Sequence, residues 1–209
     1  MAEVVAAGWS VEAQYVAPGT RPIADAGPVH ALSVGVAERV AATQTPTGLF
    51  AVVAAPAASS GVLGGAGFVL VADRIADPGN LGTILRSAEA AGVDVVVTTP
   101  GTVDHFNPKV IRASAGSLFH VPVVGATLSE VAAAGLRLIG TSAHHGAPYT
   151  GADWDGRIAI VAGSESHGLT DDALIDEWVC IEHHGRAESL NVAMAVTVLC
   201  FAAARARRA

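Results

Sequence analysis

Phe68–Thr99 reads FVLVADRIADPGNLGTILRSAEAAGVDVVVTT. Phe68–Ala72 is a short unbroken apolar run, the pattern of a strand buried on both faces. Leu81, Ile84, Leu85, Ala88 and Ala91 then recur at helical spacing behind an Asp-Pro-Gly turn. Val93–Thr98 is again a strand. Downstream the same alternation predicts a helix over Pro108–Ala113, a strand over Leu118–Val124, a helix over Leu128–Ala134, and strands over Leu136–Thr141 and Ile158–Ala162. Strands alternating with helices make an α/β fold with a mostly parallel sheet covered on both faces. Ligands bind such sheets at the carboxyl ends of the strands. Chemistry is therefore expected in the loops after Val71, Ile139, Val161 and Val179.

Upstream, residues 1–55 form a separate small α/β block. It has a helix over Ala2–Ala7, a strand over Val11–Ala17, a helix over Val34–Ala41 and a strand over Leu49–Ala54. The block is short for an independent domain and opens directly in a helix, so a preceding strand or helix is expected to be missing. Residues 56–66, PAASSGVLGGA, are small and flexible in character and read as a linker to a main domain over 67–209. Gly64, Gly65 and Gly67 precede a strand rather than follow one, which excludes a phosphate loop.

Aromatic residues make up 5% of the 209 positions, so the core must be built from small and β-branched side chains. The longest apolar run, Val192–Ala204, is too short to cross a bilayer. The N-terminus has no leader pattern. Cys180 and Cys200 sit in apolar surroundings without metal-ligand spacing, as buried thiols in a reducing compartment do, and the expected location is the cytoplasm. His144–His145 and His183–His184 are adjacent pairs with no cysteine beside them, so no metal is expected. The net charge of −7 argues against a broad, nonspecific nucleic-acid binder. A local basic patch is compatible with it. Arg205, Arg207 and Arg208 supply either such a patch or a solvated helix end.

Three segments concentrate the unusual polar residues. In DPGNLGTILRSAEAAG (77–92), Asn80 lies near the helix start, and Arg86 stands about two turns in, off the apolar face. In IVAGSESHGL (160–169), an apolar strand runs into Gly163 and then Glu165. In ESLNVAMAV (188–196), Ser189 and Asn191 sit at the mouth of a helix that is apolar nearly all round. Singly, each has a plain structural reading: caps for Asn80 and Ser189, a surface arginine for Arg86, a solvated carboxylate for Glu165. The cap reading leaves Asn191 unexplained.

In this order and near these spacings, the three segments resemble the three motifs of the SpoU/TrmH family of RNA ribose 2′-O-methyltransferases, over Phe68 to about Arg207. Residues 1–55, above all TQTPTGLFAVV (43–53), resemble a shortened form of the ribosomal-protein-like RNA-binding domain that many members carry. The resemblance implies a parallel SPOUT methyltransferase domain with a C-terminal trefoil knot. It also implies a homodimer with the last helix at the interface, S-adenosylmethionine as methyl donor, and RNA as substrate, rRNA favoured over tRNA. Carried over, the catalytic positions are Asn80, Arg86, Glu165, Ser189 and Asn191. Thr141, Gly163, Ile181 and Leu190 hold the donor, largely through backbone groups. The chain departs from the pattern at Glu182, where the family usually has Pro, at His183, often Met, and at Ala193, commonly Ser. Two other readings remain open: a catalytically silent RNA- and cofactor-binding protein, and a tRNA ribose methyltransferase. A plain nucleotide-binding α/β protein would need a glycine-rich loop after its first strand, and residues 77–82 do not have that form.

Overall fold

The computed structural model describes residues 1–41, 47–163, 169 and 171–208. The chain falls into two compact units, Met1–Ala57 and Ala58–Ala209.

The first unit contains helix α1 (Ala2–Ala6), strand β1 (Ser10–Val16), strand β2 (Val29–Ala31), helix α2 (Val34–Val40) and strand β3 (Leu49–Ala54). β1 is central, parallel to β2 and antiparallel to β3. Its core is thin: among the described residues Val4, Ala13, Ala26 and Ala37 are the buried apolar side chains. Gln14 is fully buried and replaces apolar packing with hydrogen bonds. Its Nε2 donates to the carbonyls of Ile23 (2.9 Å) and Ala26 (3.0 Å), and its Oε1 accepts from the Ile23 amide. Both ends of the buried amide are thereby satisfied.

The second unit runs β4 (Phe68–Asp73), α3 (Pro78–Ala91), β5 (Val95–Thr98), α4 (Pro108–Ala113), β6 (Val123–Gly125), α5 (Leu128–Ala133), β7 (Arg137–Ser142), β8 (Ala147–Pro148), β9 (Ile158–Gly163), β10 (Glu177–Cys180) and α6 (Val192–Ala206). The seven strands form one sheet in the order β6-β5-β4-β9-β7-β10-β8, and every neighbouring pair is parallel. The side-chain period of two divides β4 between two cores. Phe68, Leu70 and Ala72 face α3 and α6, with Leu81, Ile84, Leu85, Val196 and Leu199. Val69 and Val71 face the opposite layer, with Leu128 and Val131 of α5.

Local chemistry fixes the ends of α3. The Asp77 side chain caps it by accepting from the Asn80 amide at 2.8 Å, Pro78 opens it, and Gly92 closes it in the left-handed region at φ 79°. Asp77, rather than Asn80, is thus the cap. α5 starts with a reciprocal box in which Thr127 and Glu130 satisfy each other's backbone amides. The Thr127 amide and hydroxyl hold the Glu130 carboxyl below its ordinary pKa.

Three expectations from sequence change. The stretch 56–66 is not all linker. Ser60–Gly64 forms a 3-10 turn, Leu63 and Ala66 are buried in the second core, and Arg157 donates to the Leu63 and Ala66 carbonyls at 2.7 and 2.9 Å. The strand expected over Leu118–Val124 is instead a 3-10 turn (Ser117–Phe119) followed by the short β6. Gly116, at φ 102°, turns the chain there, and Pro122 brings no amide hydrogen to a ladder. Arg207 is neither solvated nor part of a free basic patch. It donates to the carbonyls of Trp154, Gly156 and Gly67, and its guanidinium lies 5.4 Å from the centre of the Phe68 ring.

Among the described residues no helix is long and apolar enough to cross a membrane. Cys200 is buried in α6, and desolvation pushes its thiol up to about 12. A thiol held above its ordinary range stays protonated and unreactive. A thiol reagent applied to the native protein should therefore label Cys180, which is partly exposed, and spare Cys200 until denaturant is added. Comparable labelling of both under native conditions would contradict this packing.

Candidate active site

A cavity of about 520 Å³ opens at the carboxyl ends of β7, β9 and β10, against the start of α6. That is the end of the sheet where parallel α/β folds bind ligands. Thr141 comes from β7, Gly163 from the end of β9, Ile181 from the residue after β10, and Ser189 and Leu190 from the approach to α6. Trp178, Val179, Leu169, Val192 and Leu199 add apolar wall. The size falls within the range of small-ligand sites, and an apolar lining with a few polar groups is their usual character.

The loops crossing this edge bring imidazoles that no local pattern connects. His144 and His145 follow β7, and His183 follows β10. The His144 and His145 amides both donate to Ser142 Oγ, which tightens that loop, and the His145 ring meets Trp178 edge-on at 4.7 Å. His183 Nε2 is buried with no hydrogen-bond partner among the described residues. An unmatched buried polar atom beside a cavity is what a site lacking its polar ligand would show. Among the described residues no three His, Cys, Asp or Glu side chains converge as a metal-ligand set.

Beside the cavity, Asn191 joins two helices. Its Oδ1 caps α6 by accepting from the Ala193 and Met194 amides at 3.0 and 3.3 Å. Its Nδ2 donates to Asn80 Oδ1 at 2.9 Å. The cap fixes which end of the Asn191 amide is oxygen, and this in turn points the Asn80 oxygen at Asn191. Asn80 Nδ2 is left as a donor with no partner among the described residues. Asn191 is therefore the cap of α6, and Ser189 lies exposed two residues before it. Ser87 Oγ and Thr197 Oγ1, 2.6 Å apart, tie α3 to α6 further along. Arg86 is exposed on α3, off the cavity wall, and makes no hydrogen bond or ion pair among the described residues. Glu165 lies in 164–168, outside the described residues.

The double duty of Asn191 separates by substitution. Asn191→Ala should lose the cap and about 1 kcal/mol of stability. Asn191→Asp keeps the cap oxygen, with a charge the helix start favours, and Asn80 must turn its amide to donate Nδ2 to the new carboxylate, which takes that donor away from substrate. The Asp variant should melt like the parent while reversing the Asn80 tether and losing turnover. An Asp variant as unstable as the Ala variant would show that the contact with Asn80, not the cap, carries the stability.

A parallel α/β unit with a cavity at the carboxyl edge and a polar helix-to-helix tether defines a ligand-binding enzyme-like domain. Its sequence places it more narrowly. The SpoU rRNA Methylase family profile matches residues 67–201, and the chain belongs to that family. It is 40% identical over 177 residues to the 23S rRNA (guanosine(2553)-2′-O)-methyltransferase RlmP of Bacillus subtilis, covering 81% of this chain and 70% of that protein. It is 38% identical over 143 residues to an uncharacterised tRNA/rRNA methyltransferase of Synechocystis, covering 65% of this chain and 52% of that protein. Among solved structures, the SpoU methyltransferase AviRb of Streptomyces viridochromogenes, crystallised with AdoMet, matches 100% of this chain and 87% of its own at 28% identity and a TM-score of 0.85.

Proposed function

We propose that this chain transfers a methyl group from S-adenosylmethionine to a ribose 2′-hydroxyl of RNA, with rRNA as the substrate class. The observation that carries this reading is the convergence of Thr141, Gly163, Ile181 and Leu190, from four separate stretches of chain, on one cavity of ligand size. Family membership and the 23S rRNA activity in the name of the Bacillus relative support the reaction and the substrate.

Thr141, Gly163, Ile181 and Leu190 would hold the cofactor. Bound there, it supplies an electrophilic methyl on a positively charged sulfur. Val179, Leu190 and Leu199 would give that cofactor an apolar wall on one side. The acceptor hydroxyl must be oriented and must pass its proton to solvent water at the exposed rim. Arg86, exposed and bonded to none of the described residues, holds the neighbouring phosphate with its planar fork. Asn80 offers its amide nitrogen to a substrate oxygen, held at that angle by Asn191. Ser189, on the rim of the cavity, orients the ribose. Glu165 completes the catalytic set by its place in the motif.

The rest of the family assembly belongs to the same proposal. Met194, Val198 and Phe201 are 63%, 37% and 48% exposed along one side of α6, a stripe that suits a second copy of the chain. A strand order that places β9 between β4 and β7 supports reading the C-terminal part as the family's trefoil knot. The first unit is read as an RNA-binding attachment, and the location as cytoplasmic. Transfer of labelled methyl to purified rRNA and tRNA tests the reaction and its substrate. Label in alkali-resistant dinucleotides of rRNA is the expected result. Measurable cofactor binding with no label on either RNA would replace the enzyme by a silent binding protein.

A further inference from the structure

The loops at the cavity carry three imidazoles, and their surroundings differ. His144 and His145 are exposed, so water can serve their rings. His183 also lines the cavity, but its Nε2 is buried with no hydrogen-bond partner among the described residues. A buried polar atom left unmatched is destabilising, and folded chains match nearly all of theirs. The backbone that carries His183 is anchored close by. β10 pairs with β7 as far as Cys180, Val179 is fully buried, and Ile181 packs against the core under α3 and α6. Adjustment at His183 therefore falls to its side-chain torsions. The second torsion of a histidine is broad, so turning the ring costs little.

The wall around His183 limits what that ring can meet. Trp178, Val179, Ile181, Leu190 and Leu199 supply apolar surface, and Asp172 and Glu188 supply acids. No lysine or arginine lines the cavity among the described residues. S-adenosylmethionine has two ends of different chemistry. Its amino-acid end carries a carboxylate and an ammonium. Its adenosine is neutral, flat at the base, and edged by both donors and acceptors. A charged group taken out of water to meet one imidazole nitrogen would lose more hydration than a single bond returns. The ammonium has the two acids to meet instead. An imidazole nitrogen donates or accepts according to its tautomer, which suits the mixed edge of an adenosine.

We infer that His183 turns its ring into the cavity when the cofactor binds, and that Nε2 hydrogen-bonds the adenosine portion. The contact is a side-chain addition to the hold of Thr141, Gly163, Ile181 and Leu190. The inference rests on the cofactor reading above and assigns a residue to one part of that molecule.

The test is calorimetric titration of the full chain with S-adenosylhomocysteine and with 5′-methylthioadenosine, which keeps the adenosine and lacks the amino-acid end. Neither RNA nor turnover enters the measurement. His183→Met keeps side-chain bulk and removes the hydrogen bond. It should weaken both ligands about tenfold. His183→Gln offers an amide near the position of Nε2 and should recover most of the loss. Melting without ligand separates this role from a packing role. Loss of an unmatched buried nitrogen should leave the melting temperature of His183→Met unchanged or raised, while the rise on adding S-adenosylhomocysteine shrinks. If melting and binding fall together, His183→Gln decides: recovered binding keeps the contact, and equal loss overturns it. A His183→Met protein that binds both ligands like the parent overturns the inference and leaves the cofactor reading standing. Weakening toward S-adenosylhomocysteine alone overturns it too, by placing the contact at the amino-acid end. A parent that binds neither ligand would overturn the inference and the cofactor reading together.

Discussion

Arg86→Ala is expected to lower methyl transfer to rRNA at least a hundredfold, with the melting temperature and the cofactor affinity close to those of the parent. The selectivity follows from where the side chain stands. Arg86 is exposed and bonds to none of the described residues, so its loss should change stability by less than about 0.5 kcal/mol. It is off the cavity wall, so cofactor binding should not feel it. What remains is its action on substrate. A phosphate held by a planar fork fixes the adjacent ribose in position and angle, and misplacement by an ångström can cost a hundredfold in rate. Arg86→Lys keeps the charge and loses the fork, so it should recover binding of RNA better than turnover. The measurement is labelled methyl in alkali-resistant dinucleotides, with calorimetric cofactor titration beside it. Full turnover in the alanine variant would remove Arg86 from the mechanism. Lost turnover with lost cofactor binding would instead mean a disturbed cavity.

The contrast between Arg86 and Arg207 shows what could be read from the sequence and what could not. Local rules were sufficient where a feature is made by neighbours in the chain. Asp77, Pro78 and Gly92 bracket α3, and the unbroken apolar run of β4 marks a strand buried on both faces. They were insufficient where a side chain's partner is distant. Arg207 resembles any terminal arginine until its three carbonyl partners, 51 to 140 residues away, are known. Leu63 sits in a stretch of glycine, alanine and serine, and its burial and the clamp from Arg157, 94 residues away, tie that stretch to the core. Leu118 is buried, as a strand residue would be, but burial does not select a strand over a 3-10 turn once Gly116 has reversed the chain. In the site, the motif spacing marked Asn80 and Asn191, but not that one amide would cap α6 and grip α3 at once. The cavity wall is assembled by the sheet order, which no periodicity in the sequence expresses.

Gly82→Val is expected to cost about 3 kcal/mol or more of stability, a fall in melting temperature of roughly 6–12 °C for a chain of this size. On helix propensity alone, replacing a mid-helix glycine should help. Packing reverses the sign. A Cβ at Gly82 would stand 2.4 Å from Ala113 Cβ and 2.9 Å from both the Ala113 carbonyl carbon and the Ser114 amide nitrogen. Two of these atoms are backbone, so no rotamer change relieves the clash, and α3 and α4 must separate. Gly35→Ala in α2, where nothing lies within 4 Å and φ is ordinary, is the control and should be neutral or slightly stabilising. The displacement also has a functional reading. α3 carries Asn80 and Arg86, so moving it should stretch the 2.9 Å contact with Asn191 and depress turnover well below the melting transition. A Gly82→Val protein that melts like the parent would show that α3 and α4 are not this close. One that is destabilised but fully active at low temperature would show that the placement of α3 does not limit the reaction.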